Sequence, residues 1–178
     1  MAHPFHTIGH ARHPVGEFID LLRSADIAIV ADVRTVPRSR ANPQYGADRL
    51  PPALAEAQIA YEHIAALGGL RGRQREVPAD VNGFWENASF HNYADYAMGE
   101  RFHQGLARLR EIGQARRCAV MCAETLWWRC HRRIIADYLL AAGETVLHIL
   151  GPGQIAPAQL TAAAKRGPHA SLIYPAAA

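Results

Sequence analysis

The stretch Ile27-Ala28-Ile29-Val30-Ala31-Asp32-Val33 is apolar at every position but Asp32 and runs straight into Arg34. A near-continuous apolar run of this length suits an interior strand covered on both faces, as in a mainly parallel sheet, rather than a strand with one wet side. Working outward from it, comparable runs lie at Phe5 to Gly9, Ile59 to Ile64, Cys118 to Cys122 and Thr145 to Leu150. Helix-length amphipathic segments separate them: Pro14 to Ser24 with Val15, Phe18, Ile19 and Leu22 on one face, Ala47 to Gln58, Phe90 to Ile112, and Trp127 to Ala142 closed by Gly143. This alternation predicts an α/β fold, a Rossmann-like and mainly parallel sheet flanked by helices. Periodicity fails across residues 68–87, where Gly68, Gly69, Gly72, Pro78, Asn82 and Gly83 mark a long irregular insertion carrying Arg71, Arg73 and Arg75. Beyond Gly151 the pattern predicts one weak helix, Pro157 to Lys165, and a short extended stretch at Leu172 to Tyr174.

The chain has 178 residues, 49% of them apolar and 20% charged, which fits a single α/β domain over residues 1–178 with its core at about 5–150 and a tail at 151–178. That balance excludes global disorder. The longest apolar runs are cut by Asp26, Asp32 or His148, well short of the ~20 residues a bilayer crossing needs. No membrane partner is expected. Met1 to His10 lacks a basic segment followed by an apolar one, so the expected compartment is the cytoplasm. Three cysteines, Cys118, Cys122 and Cys130, argue against a disulfide framework in a chain large enough to own a core.

The net charge of +3 comes from 18 Arg and the lone Lys165. Residues 34–75 hold seven Arg against Asp48, Glu56 and Glu62, and residues 116–133 hold five Arg against Glu124. If the two stretches meet in space, their summed field calls for an anionic partner, either a small molecule or a nucleic acid. Ligands of open parallel sheets bind beyond the carboxyl ends of the strands, and three polar clusters fall at such ends. Gly9-His10-Ala11-Arg12 follows the first strand. Asp32-Val33-Arg34 and Pro37-Arg38-Ser39-Arg40 follow the second. Cys122-Ala123-Glu124 follows the fourth, with Cys130-His131-Arg132-Arg133 on the helix after it.

In order, the motifs are T-I-G-H at Thr7 to His10, D-V-R-x-x-P-x-S at Asp32 to Ser39, L-G-G at Leu67 to Gly69, M-C-A-E at Met121 to Glu124 and C-H-R at Cys130 to Arg132. Together they resemble the domain-of-unknown-function family 488. Tyr61 to Ile64 and Trp85 to Tyr96 fit the same pattern, which extends as far as His148. The resemblance implies a compact Rossmann-like α/β domain and a set of candidate residues; it implies no reaction. Ala11, where a small hydroxyl residue is frequent, and the bulky Trp127-Trp128 depart from the family pattern.

The leading functional reading is an Arg-lined crevice that binds a phosphate-bearing or otherwise anionic ligand, a nucleotide or nucleic-acid component. Arg34, Arg40 and Arg132 are the expected clamp, with Ser39 beside them, because guanidinium forks match phosphate and carboxylate oxygens. His10 with Asp32 is the expected acid/base pair, since a carboxylate fixes an imidazole tautomer, and Glu124 and His131 are positioning residues; Asp32 could equally orient His131, cap a loop or pair with Arg34. His131 is spaced to face the sheet. Three Arg at the start of the late helix ask for compensation, either within the chain, Arg133 with Asp137 and Arg129 or Arg132 with Glu124 or Asp32, or from a bound phosphate or carboxylate. Hydrolysis or group transfer with no organic cofactor follows from this set. Two other readings stand beside it. One is a cysteine- or metal-dependent enzyme using Cys122 and Cys130, although the spacing C-x-E-x5-C-H lacks the paired ligands of structural zinc sites, and Arg129 lies one place too late for a phosphatase loop. The other is a non-catalytic binding module. No P-loop, no G-x-G-x-x-G and no H-E-x-x-H is present, so ATPase, dinucleotide oxidoreductase and zincin readings lack their usual support.

Overall fold

The computed structural model describes residues 2–178. Six strands form one sheet: β1 (Phe5–Gly9), β2 (Ile29–Asp32), β3 (Ala60–His63), β4 (Cys118–Cys122), β5 (Val146–Gly151) and β6 (Gln154–Pro157). Their order across the sheet is β3-β2-β4-β1-β5-β6. The first five run parallel, and β6 folds back antiparallel onto β5. Helices α1 (Val15–Ser24), α2 (Leu50–Glu56), α3 (Ala88–Tyr96), α4 (Glu100–Ala115) and α5 (Arg132–Ala141) connect the strands, and a ribbon of β7 (Lys165–Arg166) with β8 (Leu172–Ile173) ends the chain. The α/β, mainly parallel architecture expected from the apolar runs is the one that forms.

Side-chain alternation along the buried strands sorts the core into two layers. On β2, Ile29 and Ala31 face one cluster while Val30 faces the other; on β4, Cys118, Val120 and Cys122 face the first and Ala119 and Met121 the second. The first cluster is closed by α4 and α5 through Phe102, Leu109, Ile134, Ile135 and Leu139, and the second by α1 and α2 through Phe18, Leu22, Leu50 and Leu54. Covering both faces explains why Ile27 to Val33 is apolar but for Asp32 at the strand end: neither parity of a period-two strand meets water. It also fixes an orientation, because Cys122 at the end of β4 points to the layer of α5.

Three predicted elements come out differently. The single helix expected over Phe90 to Ile112 is two helices, since Gly99 adopts an extended backbone (φ −90, ψ 166) and caps α4 after α3 has ended at Ala97. The helix expected from Trp127 begins only at Arg132. A 3-10 turn, Trp127–Arg129, comes first, and Cys130 is extended (φ −131, ψ 153) between the two. In the tail, no helix spans Pro157 to Lys165: Pro152-Gly153 turns the chain, with Gly153 at φ 67, so that β6 takes the free edge of β5. Edge pairing satisfies backbone groups that a weak helix ending would leave open.

The irregular residues 68–87 are tied down by side chains rather than by helix or strand. The Leu70 N–H donates to Thr35 Oγ1 (2.8 Å), and Arg71 donates to the Ala65 and Gly68 carbonyls. The fully buried Asn82 receives the backbone N–H of Tyr174 (2.9 Å) and donates to Asp95 (2.7 Å). Tyr174 in turn donates its hydroxyl to Asp137 on α5 (2.9 Å), whose carboxyl burial pushes above its ordinary range. Removing this donor with Tyr174→Phe leaves a buried carboxyl short of a partner, and should lower unfolding free energy in urea by about 1–3 kcal/mol. A loss below about 0.5 kcal/mol would show that the tail is not anchored through that oxygen.

Candidate functional site

At the carboxyl ends of β1, β2 and β4 the chain brings together the clusters that lie far apart in sequence. The His10 N–H donates to the Cys122 carbonyl (2.9 Å), and the Val33 N–H to the Met121 carbonyl (3.0 Å). His131 Nε2 donates to the Val33 carbonyl (2.7 Å). Two close approaches make this possible. A Cβ on Gly9 would lie 1.9 Å from the Glu124 carbonyl oxygen, and one on Gly69 would lie 2.5 Å from His131 Nδ1. Glycine alone leaves room for the loop after β4 and for the imidazole.

In energetic terms the main constraint is Arg132. It opens α5, where the helix dipole disfavours a cation by a few tenths to about 1 kcal/mol, and only 1% of its surface reaches solvent. Its Nε donates to Cys122 Sγ (3.0 Å), its backbone N–H to Cys130 Sγ (3.4 Å), its Nη1 to Thr7 Oγ1 (3.1 Å) and its Nη2 to the Glu124 carbonyl. Among the described residues no carboxylate lies within ion-pair distance of it. Thr7 continues the network to His148 Nδ1 (2.6 Å), and Trp127 stacks on the His148 ring at 4.3 Å.

The sulfurs of Cys122 and Cys130 are 2.7 Å apart, and both thiols are free. Burial works against ionising Cys130, but the hydrogen bond from Cys122 and the charge and amide of Arg132 outweigh it and bring its pKa down to about 7. Burial, with the neighbouring Cys130 sulfur, pushes Cys122 well above the usual thiol range. The pair therefore loses one proton readily and keeps the other. Reciprocally, burial opposes the charge of Arg132, and the two sulfurs hold it protonated. Because His131 donates from Nε2, its Nδ1 is unprotonated and faces Cys130 Sγ at 3.4 Å. Burial pushes this imidazole below its ordinary pKa, so it is neutral.

A cleft of about 470 Å³ opens over this pair, with Cys122, Cys130 and His131 in its floor and Arg38 and Arg129, both exposed, in its walls. A second opening on the other side of the Ala123–Thr125 loop contains His10 and Ser39. The sequence candidates are thus divided. Arg34 also touches the first cleft, but it is engaged with Asp32 through Nε (2.9 Å) and Nη2 (2.7 Å). Asp32 takes a further hydrogen bond from Tyr61 and meets neither His10 nor His131. The expected His10–Asp32 pairing does not form: His10 donates from Nδ1 to the Ala11 carbonyl (2.8 Å), stacks on Tyr45 at 4.1 Å, and contacts Arg34 at 3.5 Å. Arg40 is exposed, and the Ser39 hydroxyl accepts from the Asn42 N–H (3.0 Å). The side chain of Glu124 is exposed and caps the Leu126 N–H (3.1 Å).

The expected ion pairs are also replaced. Asp137 binds the Thr161 N–H (2.9 Å) and Tyr174, while Arg133 donates to Thr161 Oγ1 (3.2 Å) and lies over the Trp85 ring. Trp85, 6% exposed, stacks on Phe90 inside the core and offers no open platform. Among the described residues no group of three or more His, Cys, Asp or Glu is gathered as a metal site. None of the helices described is long and apolar enough to cross a membrane. Thr7, His148 and Tyr61 enter the site without having been given a role from sequence, and Arg38 and Arg129, named in the polar clusters, line the cleft without having been assigned to the clamp. Thr7 sits in the quoted T-I-G-H motif and Arg38 in D-V-R-x-x-P-x-S, so the motifs carried a signal for both; nothing local distinguished His148.

A family model described as Domain of unknown function DUF488 matches residues 14–139, and the chain belongs to that family. No curated protein and no solved structure matches the chain.

The buried imidazoles give the site a definite response to acid. Burial, with Arg34 beside His10 and Arg132 beside His148, lowers both to about 4 from an ordinary 6.5. Each binds a proton more readily in the unfolded chain, so its contribution to stability is whole above 6.5 and is lost as pH falls through 4. Denaturant midpoints should fall over that window, and the His10 ring should titrate by NMR near 4. A His10 midpoint at 6.5 would mean that the Tyr45 stack opens in solution.

Proposed function

For this member of the DUF488 family we propose a thiol-dependent enzyme that takes a small anionic substrate in the cleft between Arg38 and Arg129 and attacks it with the Cys130 thiolate. One observation carries the reading: Arg132 is a buried guanidinium whose available counter-charge is a cysteine sulfur. Burying an unpaired charge costs several kcal/mol, and a thiolate on Cys130, which takes the Arg132 backbone N–H while the guanidinium donates to the adjoining Cys122 sulfur, offsets that cost and makes the sulfur nucleophilic. Here Arg132 is a positioning residue for the thiolate. His131 Nδ1, facing Cys130 Sγ, is the acceptor for its proton. The reaction is group transfer onto sulfur.

The anion clamp differs in membership from the one read in sequence. Arg34 and Arg132 spend their donors on Asp32 and on the sulfurs, so substrate recognition goes to Arg38 and Arg129, which are exposed at the cleft walls. Phosphate-bearing compounds belong to the class of ligand this charge favours. A nucleic-acid strand is less well supported, since the aromatic residues that line the cleft, Phe90 and Tyr93, are packed against Trp85 and against Phe102 and His131.

Alkylation tests both halves. The rate of Cys130 modification by neutral iodoacetamide should rise with a midpoint at about 7 in the native protein. Arg132→Met, or Arg132→Lys if Met prevents folding, should move that midpoint up, toward the ordinary thiol range of ~8.5. Arg38→Ala and Arg129→Ala should each slow anionic iodoacetate relative to iodoacetamide by roughly 3- to 10-fold, the size of a partly screened charge contact. A Cys130 that titrates like a free thiol in the folded protein, unmoved by Arg132→Lys, would end the proposal.

A further inference from the structure

Resting on Cys130 as the nucleophile, we infer that the cleft reduces a small anionic disulfide, with Cys122 as the resolving thiol that closes onto Cys130. Any covalent adduct on Cys130 must leave by attack from something, and the surroundings of the two sulfurs favour a thiol over water. Cys122 and Cys130 are only 3% and 7% exposed. The groups that could activate water are weakened, committed or elsewhere. His131 keeps Nδ1 free beside Cys130 Sγ, but burial lowers the basicity of that ring; Asp32 is bound to Arg34 and Tyr61 and the Glu124 carboxylate to the Leu126 N–H, while His10 lies in the other opening. Cys122 Sγ, by contrast, already touches Cys130 Sγ at 2.7 Å, about 0.7 Å beyond a covalent S–S separation.

Such a neighbour is useful only if the atom it attacks is the Cys130 sulfur itself. In an acyl or phosphoryl adduct the electrophile is carbon or phosphorus, and thiol attack there would move the group from one cysteine to the other without release. In a mixed disulfide, attack on Cys130 sulfur expels the substrate's half as a thiol. The steps balance. Cys130–S⁻ attacks R–S–S–R′, forming Cys130–S–S–R and releasing R′–S⁻. Cys122–SH then attacks the Cys130 sulfur, forming Cys122–S–S–Cys130, and its proton goes to the departing R–S⁻ to give R–SH. Two electrons pass from the cysteine pair to the substrate, and a low-molecular-weight dithiol reduces the pair again. Arg132 Nε, 3.0 Å from Cys122 Sγ, is placed to hold negative charge as it grows on the second sulfur. Cys118, four residues earlier on the same strand face, stays out of the exchange. It is fully buried, and burial pushes its thiol up to about 12.

Glutathione disulfide is a suitable anionic probe, with products read by intact mass and by released glutathione. The reduced native protein should release both glutathione halves, lose two hydrogens and carry no lasting adduct. Cys122→Ser, or Cys122→Ala if Ser disturbs the packing, should stop at one glutathionyl group on Cys130, with the second release slowed at least ~100-fold, as expected when an intramolecular attacker is removed. Cys130→Ser should not react, and Cys118→Ala should behave as native. A Cys122→Ser protein that releases both halves at the native rate, or a native protein that keeps the adduct beside a free Cys122, overturns the inference while leaving Cys130 as the nucleophile. A Cys130→Ser protein that reacts as fast as the native one overturns the proposed function as well.

Discussion

A guanidinium shut away from water without a carboxylate is the constraint from which the arrangement of the site follows. Arg132 stands at the first turn of α5, where both the dipole and the low dielectric oppose its charge. The chain answers by aiming donors at acceptors of several kinds: two sulfurs, the Thr7 hydroxyl and the Glu124 carbonyl. Of these acceptors, only a sulfur is able to take on a full negative charge. The ionisation of the cysteine pair and the folding of this corner are therefore one thermodynamic question, and each should be felt in the other.

Contrast Arg34, also buried, which meets a carboxylate two residues away with bidentate geometry. There the charge is cancelled within the chain and the pair works as a brace between β2 and β3, with Tyr61 completing it. Two buried arginines, one lining the cleft and one directly after its lining residues Cys130 and His131, thus have opposite consequences. One is neutralised by a carboxylate, and the other by a sulfur whose ionisation varies in the physiological range. The glycines at positions 9 and 69 serve the second of these. By letting the Glu124 carbonyl and the His131 ring come close, they shape the walls around the sulfurs.

What could be read in the sequence followed from periodicity. The five parallel strands, the helices on both faces and the irregular residues 68–87 were legible because burial on two sides leaves apolar runs and burial on one side leaves stripes. The convergence of His10, Asp32-Arg34, Cys122 and Cys130-Arg132 was legible too, because strand carboxyl ends share an edge whatever the strand order. Partner choice was not. Whether Asp32 turns to His10 or to Arg34 depends on angles that spacing does not encode, and Tyr61, which completes that pair, lies on a different strand. The extended Cys130, which brings its sulfur to Cys122, was hidden by a helical pattern running through Trp127 to Ala142. Breaks at one residue leave that pattern almost intact, as Gly99 shows between α3 and α4.

The position of β4 between β1 and β2 has a consequence for how this chain is made. On the ribosome, β1 emerges first, yet both of its neighbours, β4 and β5, are encoded after residue 117. β2 can pair with β3 early, but its other edge waits for the same late strand. For most of synthesis the nascent chain carries an unpaired, apolar β1 and a half-finished β2–β3 pair, the kind of edge on which other chains aggregate. Insertion of β4 closes the facing edges of β1 and β2 at once and brings Cys122 to the end of the sheet in the same event, while the outer edge of β1 waits for β5, so the sulfur pair is assembled before the sheet is complete.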